Sequence, residues 1–337
     1  MPFQLRPFQE PNDYVALSAF YNQLQPGSSS PEDLAAKDKQ IPAQSRLFLD
    51  ENQQLGGFGR ERIVAESADT GESIGYAQIW RAPWTPPGCL ATLFYVAPAH
   101  RGQGVGTALL THLLAWAKQK QADTVMSELK DWVPHSLDFA LKQGFALDAH
   151  IFELHLDVNA FDESAGEAAL SSLKQRGITF CTLGDIAAAR EQAEEKLYRL
   201  YAQTLRDNPG HVGELPDLDE WRREAFPSHA FDPELVFIAA DGERFVGVTT
   251  VFHTDQPGIK YTDYTGVDQN YRGQGIATAL KLLSIQSAKK RGAHTLSTET
   301  EAKNSPMQAV NRKLGYVPGK GHYRVVKHLH ATRDTRS

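Results

Sequence analysis

The chain has 337 residues, 41% hydrophobic and 23% charged, with a net charge of −6. This length suits two globular domains, each large enough to bury a core. The acidic balance offers no footprint for nucleic acid, no apolar run is long enough to span a membrane, and two cysteines, Cys89 and Cys181, cannot make a disulfide framework. In chain order, residues 3–6 read as a strand, and Asn12-Asp13 can cap a helix running to Leu24, broken at Pro26-Gly27-Ser28-Ser29-Ser30-Pro31. Residues 62–66 and 73–80 form a hairpin over Asp69-Thr70-Gly71, and 91–96 is the next strand. Residues 107–120 are amphipathic at helical spacing through Leu109, Leu110, Leu113, Leu114 and Ala117. A strand at 124–129, a short helix at 136–142 stopped by Gly144, and a strand at 151–158 complete the first half. Residues 161–176 read as a connecting helix packed on one domain. The order then repeats: strand 178–183, helix 185–205, hairpin 235–240 and 245–252, strand 261–267, helix 278–291, strand 295–299, short helix 306–314 and strand 323–329.

One phrase is written twice. Arg101-Gly102-Gln103-Gly104-Val105-Gly106-Thr107 returns as Arg272-Gly273-Gln274-Gly275-Ile276-Ala277-Thr278. Arg272 lies 171 residues after Arg101, Glu299 171 after Glu128, and Gly315 171 after Gly144. A fixed offset over this stretch marks one supersecondary unit used twice, with a period far too long for a solenoid. Each phrase follows a strand and opens a helix, the context in which backbone N–H groups gather to hold a phosphate. Neither copy is a GxxxxGK[ST] loop, which argues against a nucleoside triphosphatase. Neither sits on the first strand of a βαβ unit, which argues against a dinucleotide fold. A coenzyme A pyrophosphate is the third reading. No His/Cys cluster has metal-ligand spacing, so no metal is expected.

The stretches from Val96 and Val267 into their glycine phrases resemble the Q/R-x-x-G-x-G/A motif of the GNAT acetyl-CoA-dependent N-acyltransferases. Asn304-x-x-Met307-x3-Asn311-x-x-Leu314-Gly315-Tyr316 is similar to that family's later N-x-x-A-x3-Y-x-x-x-G-[FY] region. The resemblance covers nearly the whole chain as two tandem domains. It implies an α/β (α+β) fold in which each domain is a mixed, mostly antiparallel sheet with helices on both faces. The expected limits are 1–158 for the N-terminal domain, 159–176 for the connecting helix and 177–337 for the C-terminal domain. It implies acetyl-CoA as cosubstrate, its pyrophosphate on the amides from Gln103 to Gly106 and from Gln274 to Ala277. The strand before each phrase splays from its neighbour, and the pantetheine pairs with the free edge. A backbone N–H near Val267, or Val96 in the first half, polarises the thioester carbonyl. Polar groups at Asn304 and Asn311 contact the cofactor or the acceptor channel, and Asn304 also suits a helix cap.

An amine acceptor is an ammonium at neutral pH and must lose a proton before attack, which a carboxylate can arrange. Asp263 is four residues before Val267, and strict alternation puts Asp263, Thr265 and Val267 on one face. Counting back 171 residues pairs Asp263 with Thr92, so the first half lacks this carboxylate. Glu299 ends the following strand, with Glu128 as its twin. The tyrosine that the family often uses to protonate the leaving thiolate is replaced by Asn311 in the second half and Ala140 in the first. Tyr264, Tyr271, Tyr323 or water can substitute. These residues imply an N-acetyltransferase acting on the primary amine of a small molecule, with the C-terminal domain as the catalytic one. The rival reading is a non-catalytic acyl-CoA-binding or interaction module. Residues 27–49 and 207–221 are the segments left to shape the acceptor site. Met1-Pro2-Phe3-Gln4-Leu5-Arg6 lacks the layout of a secretion signal, so a cytoplasmic monomer or homodimer is expected, with no nucleic-acid or membrane partner.

Overall fold

The computed structural model describes residues 2–24, 27, 29–39, 46–82, 85–208, 215–226 and 230–329. Pro26 and Ser28 of the first break, and parts of both expected acceptor segments (40–45 and 209–214), lie outside the described residues. Among those described, no helix is long and apolar enough to cross a membrane.

The chain forms two compact units. The first contains β1 (Phe3–Pro7), α1 (Asp13–Leu24), α2 (Pro31–Lys39), a short hairpin of β2 (Leu47–Leu49) and β3 (Leu55–Gly57), β4 (Gly59–Ser67), β5 (Ser73–Arg81), β6 (Cys89–Val96), α3 (Val105–Gln119), β7 (Thr124–Lys130) and α4 (Ser136–Lys142). The second holds β8 (Ala146–Asp157) from Ala149, α5 (Ser164–Gln175), β9 (Ile178–Thr182), α6 (Arg190–Arg206), α7 (Leu218–Ala225), β10 (Val236–Asp241), β11 (Arg244–His253), β12 (Ile259–Val267), α8 (Ile276–Lys290), β13 (Thr295–Glu301) and α9 (Ser305–Lys313); β14 (Val317–His328) passes into the first unit at Tyr323. Strand order in the first unit is β1-β4-β5-β6-β7-β14, and in the second β9-β10-β11-β12-β13-β8. Both are mixed and mostly antiparallel, with β6–β7 and β12–β13 the parallel pairs.

Each sheet carries apolar side chains on both faces, so each needs cover on both sides. In the second unit, Leu280, Leu282 and Ile285 of α8 and Leu173 of α5 bury one face. Leu197 and Leu200 of α6 and Trp221 of α7 bury the other. In the first unit α3 and α4 cover one face, and α1 covers the other through Tyr14, Leu17 and Phe20. Asp13 does not simply cap α1: it accepts from the Gln9 amide and pairs with Arg6 at 2.7 Å.

The expected limits at 158 and 177 are not where the compact units divide. Unit 1 is Met1–Asp148 with the segment from Tyr323, and unit 2 is Ala149–His322. The reason is a strand exchange. β8, the last strand of the first repeat, pairs antiparallel with β13 from Thr295↔Asp157 to Glu301↔Ile151. The last strand of the second repeat returns to β7, where the Leu329 amide bonds the Asp123 carbonyl at 2.8 Å. Each unit is closed by the other repeat's final strand. The connecting helix α5 belongs wholly to unit 2, with Gly166 packed against Leu282.

Candidate active site

Both glycine phrases fold alike. Gly104 and Gly275 immediately precede α3 and α8 with φ of 87° and 90°, a conformation only glycine adopts cheaply. Arg101 Nε bonds the Val96 carbonyl at 3.1 Å, and Arg272 Nε bonds that of Val267 at 3.0 Å. Gln103 and Gln274 turn back onto the carbonyls of Ala99 and Asn270. In α8 the bond from Ala279 N–H to the Gly275 carbonyl comes after the amides of Ile276, Ala277 and Thr278, which have no intrahelical acceptor. They form an anion cradle at the positive end of the helix dipole. Arg176, at the end of α5, adds a guanidinium bonded to the Gln274 side chain.

The strands ahead of the cradles splay. β12 pairs with β13 only from Ile259↔Thr295 to Thr262↔Thr298, then runs on to Val267 alone on that side. β6 leaves β7 after Thr92↔Ser127. The Asp268 amide bonds Val246 on β11 at 2.9 Å, so the alternate N–H groups of Val267 and Thr265 point away from β11, to the open edge.

Here the units part. In β11–β12 the register steps from Thr250↔Tyr264 to Val251↔Thr262, which leaves Asp263 with no partner. Asp263 is the extra residue of a β-bulge, a device that re-aims a side chain. β5–β6 runs without a bulge from Gly75↔Val96 to Trp80↔Ala91. The pairing of Thr92 with Asp263 is therefore corrected. Ser127 Oγ bonds the Thr92 carbonyl and Thr298 Oγ1 bonds the Thr262 carbonyl, so Thr92 corresponds to Thr262. Asp263 has no counterpart in unit 1. The strict alternation assumed for Asp263, Thr265 and Val267 also fails at the bulge. Sequence reasoning missed it, although a signal exists: Gly258 is 170 residues after Gly88, whereas Arg272 is 171 after Arg101.

Unit 2 holds a cleft of about 680 Å³ along the splay. Its walls include Asp263, Tyr264, Val267, Arg272, Gly273, Gly275, Ile276, Ala277, Thr278, Glu299 and Asn304. These predicted residues are brought together. Asn304 also caps α9, its Oδ1 accepting from the Met307 amide at 3.3 Å. Asn311 does not line the cleft; it is buried at 1% exposure, and neither atom of its side-chain amide has a partner among the described residues. Asp263 reaches solvent through the cleft, yet burial pushes its pKa up to about 6. Burial also raises that of Tyr264, keeping its phenol protonated, and its hydroxyl lies 2.7 Å from Thr204 Oγ1. Asp263 and Tyr264 further line a second cavity of about 250 Å³ between the sheet and α6–α7, walled by Tyr201, Trp221, Phe226 and Val248. The carboxylate thus stands where the two cavities meet. Lys281 of α8, not singled out by the sequence, lines the cleft too. In unit 1 the rings of Phe94 and Phe139 pack 5.5 Å apart beside the splay, where unit 2 has Thr265 and Val310 at the same 171-residue offset.

A splayed mixed sheet with an anion cradle at the helix after the splayed strand defines an acyltransferase of the acetyltransferase class. The family model for the acetyltransferase (GNAT) family matches residues 28–145 and again 194–316, and the chain belongs to that family. A mycothiol acetyltransferase of Streptomyces coelicolor is 28% identical over 273 residues, 78% of this chain and 80% of that protein. The N-alpha-acetyltransferase 30 of Schizosaccharomyces pombe is 35% identical over 95 residues, 27% of this chain and 63% of that one. Among solved structures, a GCN5-related N-acetyltransferase from Sphaerobacter thermophilus matches 98% of the chain and 96% of its own, with a TM-score of 0.67 and 19% identity. A tandem GNAT protein from the clavulanic acid biosynthesis pathway matches 98% and 100%, with a TM-score of 0.61 and 16% identity. These likenesses show the fold and its tandem arrangement.

Proposed function

We propose that unit 2 transfers an acetyl group from acetyl-CoA to the primary amine of a small molecule, and that unit 1 is not the catalytic one. The observation that carries this is the bulge residue Asp263, an ionisable carboxylate at the junction of the anion cleft and the aromatic cavity. The residues present fit acetyl-CoA. The amides of Ile276, Ala277 and Thr278 and the Arg272 guanidinium receive the pyrophosphate. The free edge of β12 takes the pantetheine amides, and the Val267 N–H, with that of Thr265 behind it, polarises the thioester carbonyl. The cavity of Tyr201, Trp221 and Phe226 receives the body of the acceptor, with its ammonium drawn to Asp263. A carboxylate titrating near 6 is ionised at neutral pH and still basic enough to take the amine proton.

Unit 1 has no bulge in β5–β6 and so places no carboxylate where Asp263 stands in unit 2. Its cradle persists while the groove beside it carries the Phe94–Phe139 pair, which favours a structural role. Similarity to mycothiol acetyltransferases puts compounds related to mycothiol among the first acceptors to try. Release of coenzyme A thiol from acetyl-CoA across a panel of amino sugars, polyamines and amino acids tests the reading. Thiol release that depends on the added amine is the expected result; none with any amine, despite acetyl-CoA binding, would overturn it.

A further inference from the structure

Four buried positions distinguish the units. Leu110, Leu129, Ala140 and Phe145 belong to the apolar core of unit 1. At the fixed offset of 171, unit 2 has Lys281, Thr300, Asn311 and Tyr316. Lys281 Nζ, Thr300 Oγ1 and both amide atoms of Asn311 are buried with no hydrogen-bond partner among the described residues, and the Tyr316 hydroxyl, also buried, is turned to the Thr262 side chain. Stability does not ask for this set, since an apolar one fills the same places in unit 1 and an unpaired buried ammonium is destabilising.

Lys281 is the sharpest of the four. It is 1% exposed, lines the cleft, and its Nζ lies 4.8 Å from the centre of the Tyr316 ring. Tyr316 in turn joins it to Asn311, whose carbonyl accepts from the Tyr316 amide at 3.0 Å. The titratable groups facing this space are Asp207 after α6, Asp263 and Tyr264 on β12, Tyr271 and Arg272 ahead of α8, Glu299 and Glu301 on β13, Lys303 ahead of α9, and Tyr316 after α9. Burial lowers the proton affinity of Lys281 to a pKa of about 7. A group of that strength gives up a proton readily to a thiolate, whose conjugate thiol titrates near ~8.5.

We propose that Lys281 donates a proton to the departing coenzyme A thiolate, the role left open where Asn311 stands in place of the family's usual tyrosine. The proposal rests on acetyl transfer by unit 2. The ammonium gives one proton to Asp263; the amine nitrogen then forms its bond to the thioester carbonyl carbon and loses its second, excess proton to solvent. As the carbon–sulfur bond breaks, its electron pair goes to sulfur, which takes a proton from Lys281 Nζ. The neutral amine left on Lys281 regains a proton from solvent before the next turnover.

Two measurements decide it, using the full chain and its Lys281→Met variant. The first is the pH dependence of acetyl transfer: the wild type is expected to lose activity as pH rises through about 7, while Lys281→Met falls about a hundredfold in kcat and loses that limb. The second needs no turnover: in 15N NMR of the full chain, the Lys281 Nζ signal is expected to shift on binding coenzyme A and not on binding desulfo-coenzyme A, which lacks the sulfur. An unchanged kcat with the alkaline limb intact overturns the proposal while leaving acetyl transfer by unit 2 standing. If no amine is acetylated, that wider reading fails, and the NMR comparison still judges Lys281, with equal shifts from the two ligands counting against it. Because the substitution removes an unpaired buried charge, the variant's melting temperature is expected to equal or exceed the wild type's, which separates loss of chemistry from loss of fold.

Discussion

Asp263 can accept a proton only when ionised, and its raised pKa places that ionisation near pH 6. The sign follows: kcat/KM should rise with pH through about 6 as the carboxylate becomes a base. Asp263→Asn should lower kcat/KM by about 10²–10⁴-fold and flatten that acid limb, as read from pH profiles of both proteins. Lys281 has the opposite linkage. Its folded pKa, about 7, lies below the ordinary 10.5, so the unfolded chain binds the extra proton between those values and stability rises with pH across the window. Replacing it with Met should abolish this slope, with a gain of roughly 4 kcal/mol at neutral pH as the upper limit from so large a shift. Urea unfolding of wild type and variant between pH 7 and 10 measures it.

The element that matters most is β12, whose one extra residue sets Asp263 just where the strand parts from β13. Deleting Asp263 should give β12 the unbulged register of β6. That protein is expected to fold, to bind acetyl-CoA, and to turn over no amine; calorimetry and thiol release read the two halves of that statement. The chain's elements were legible where a strong local rule acts: the glycines at φ near 90°, the 3.6-residue period of α3, the Asp69-Thr70-Gly71 turn between β4 and β5. The bulge was not, because β-pairing is set by a partner strand far away in sequence and a period of two cannot report an inserted residue. Lys281 was hidden for a similar reason. It sits in an amphipathic helix where a lysine reads as solvent-facing, and only the position of the splay makes that face part of the cleft. α2 and α7 were missed because each is short and largely polar, stabilised by packing rather than propensity.

At the scale of the whole molecule, duplication has preserved the glycine phrase and its helix start in both units, while the groups proposed for acid–base chemistry stand in one. Gly275→Glu should therefore abolish acetyl transfer, and Gly104→Glu should leave kcat within a few-fold, although each substitution strains a left-handed backbone by ~1–2 kcal/mol. Parallel assays, with melting temperatures as the folding control, check both. The order of strands in each unit followed from the repeat. Their ownership did not, since nothing in the composition of β8 or β14 says which repeat's sheet each will close.

That ownership has a consequence for synthesis. Unit 1 begins with residues translated before Ala149–His322 yet is completed by residues translated after them. At usual elongation rates roughly ten to thirty seconds pass between translation of Asp148 and that of Tyr323. Throughout that interval the outer side of β7 waits unpaired, while Ala149–His322, contiguous in the chain, can be finished first. The unit assigned the chemistry is thus the one able to mature early, and the nascent N-terminal half depends on its own C-terminus, or on a chaperone in the interim, to cover an open sheet edge.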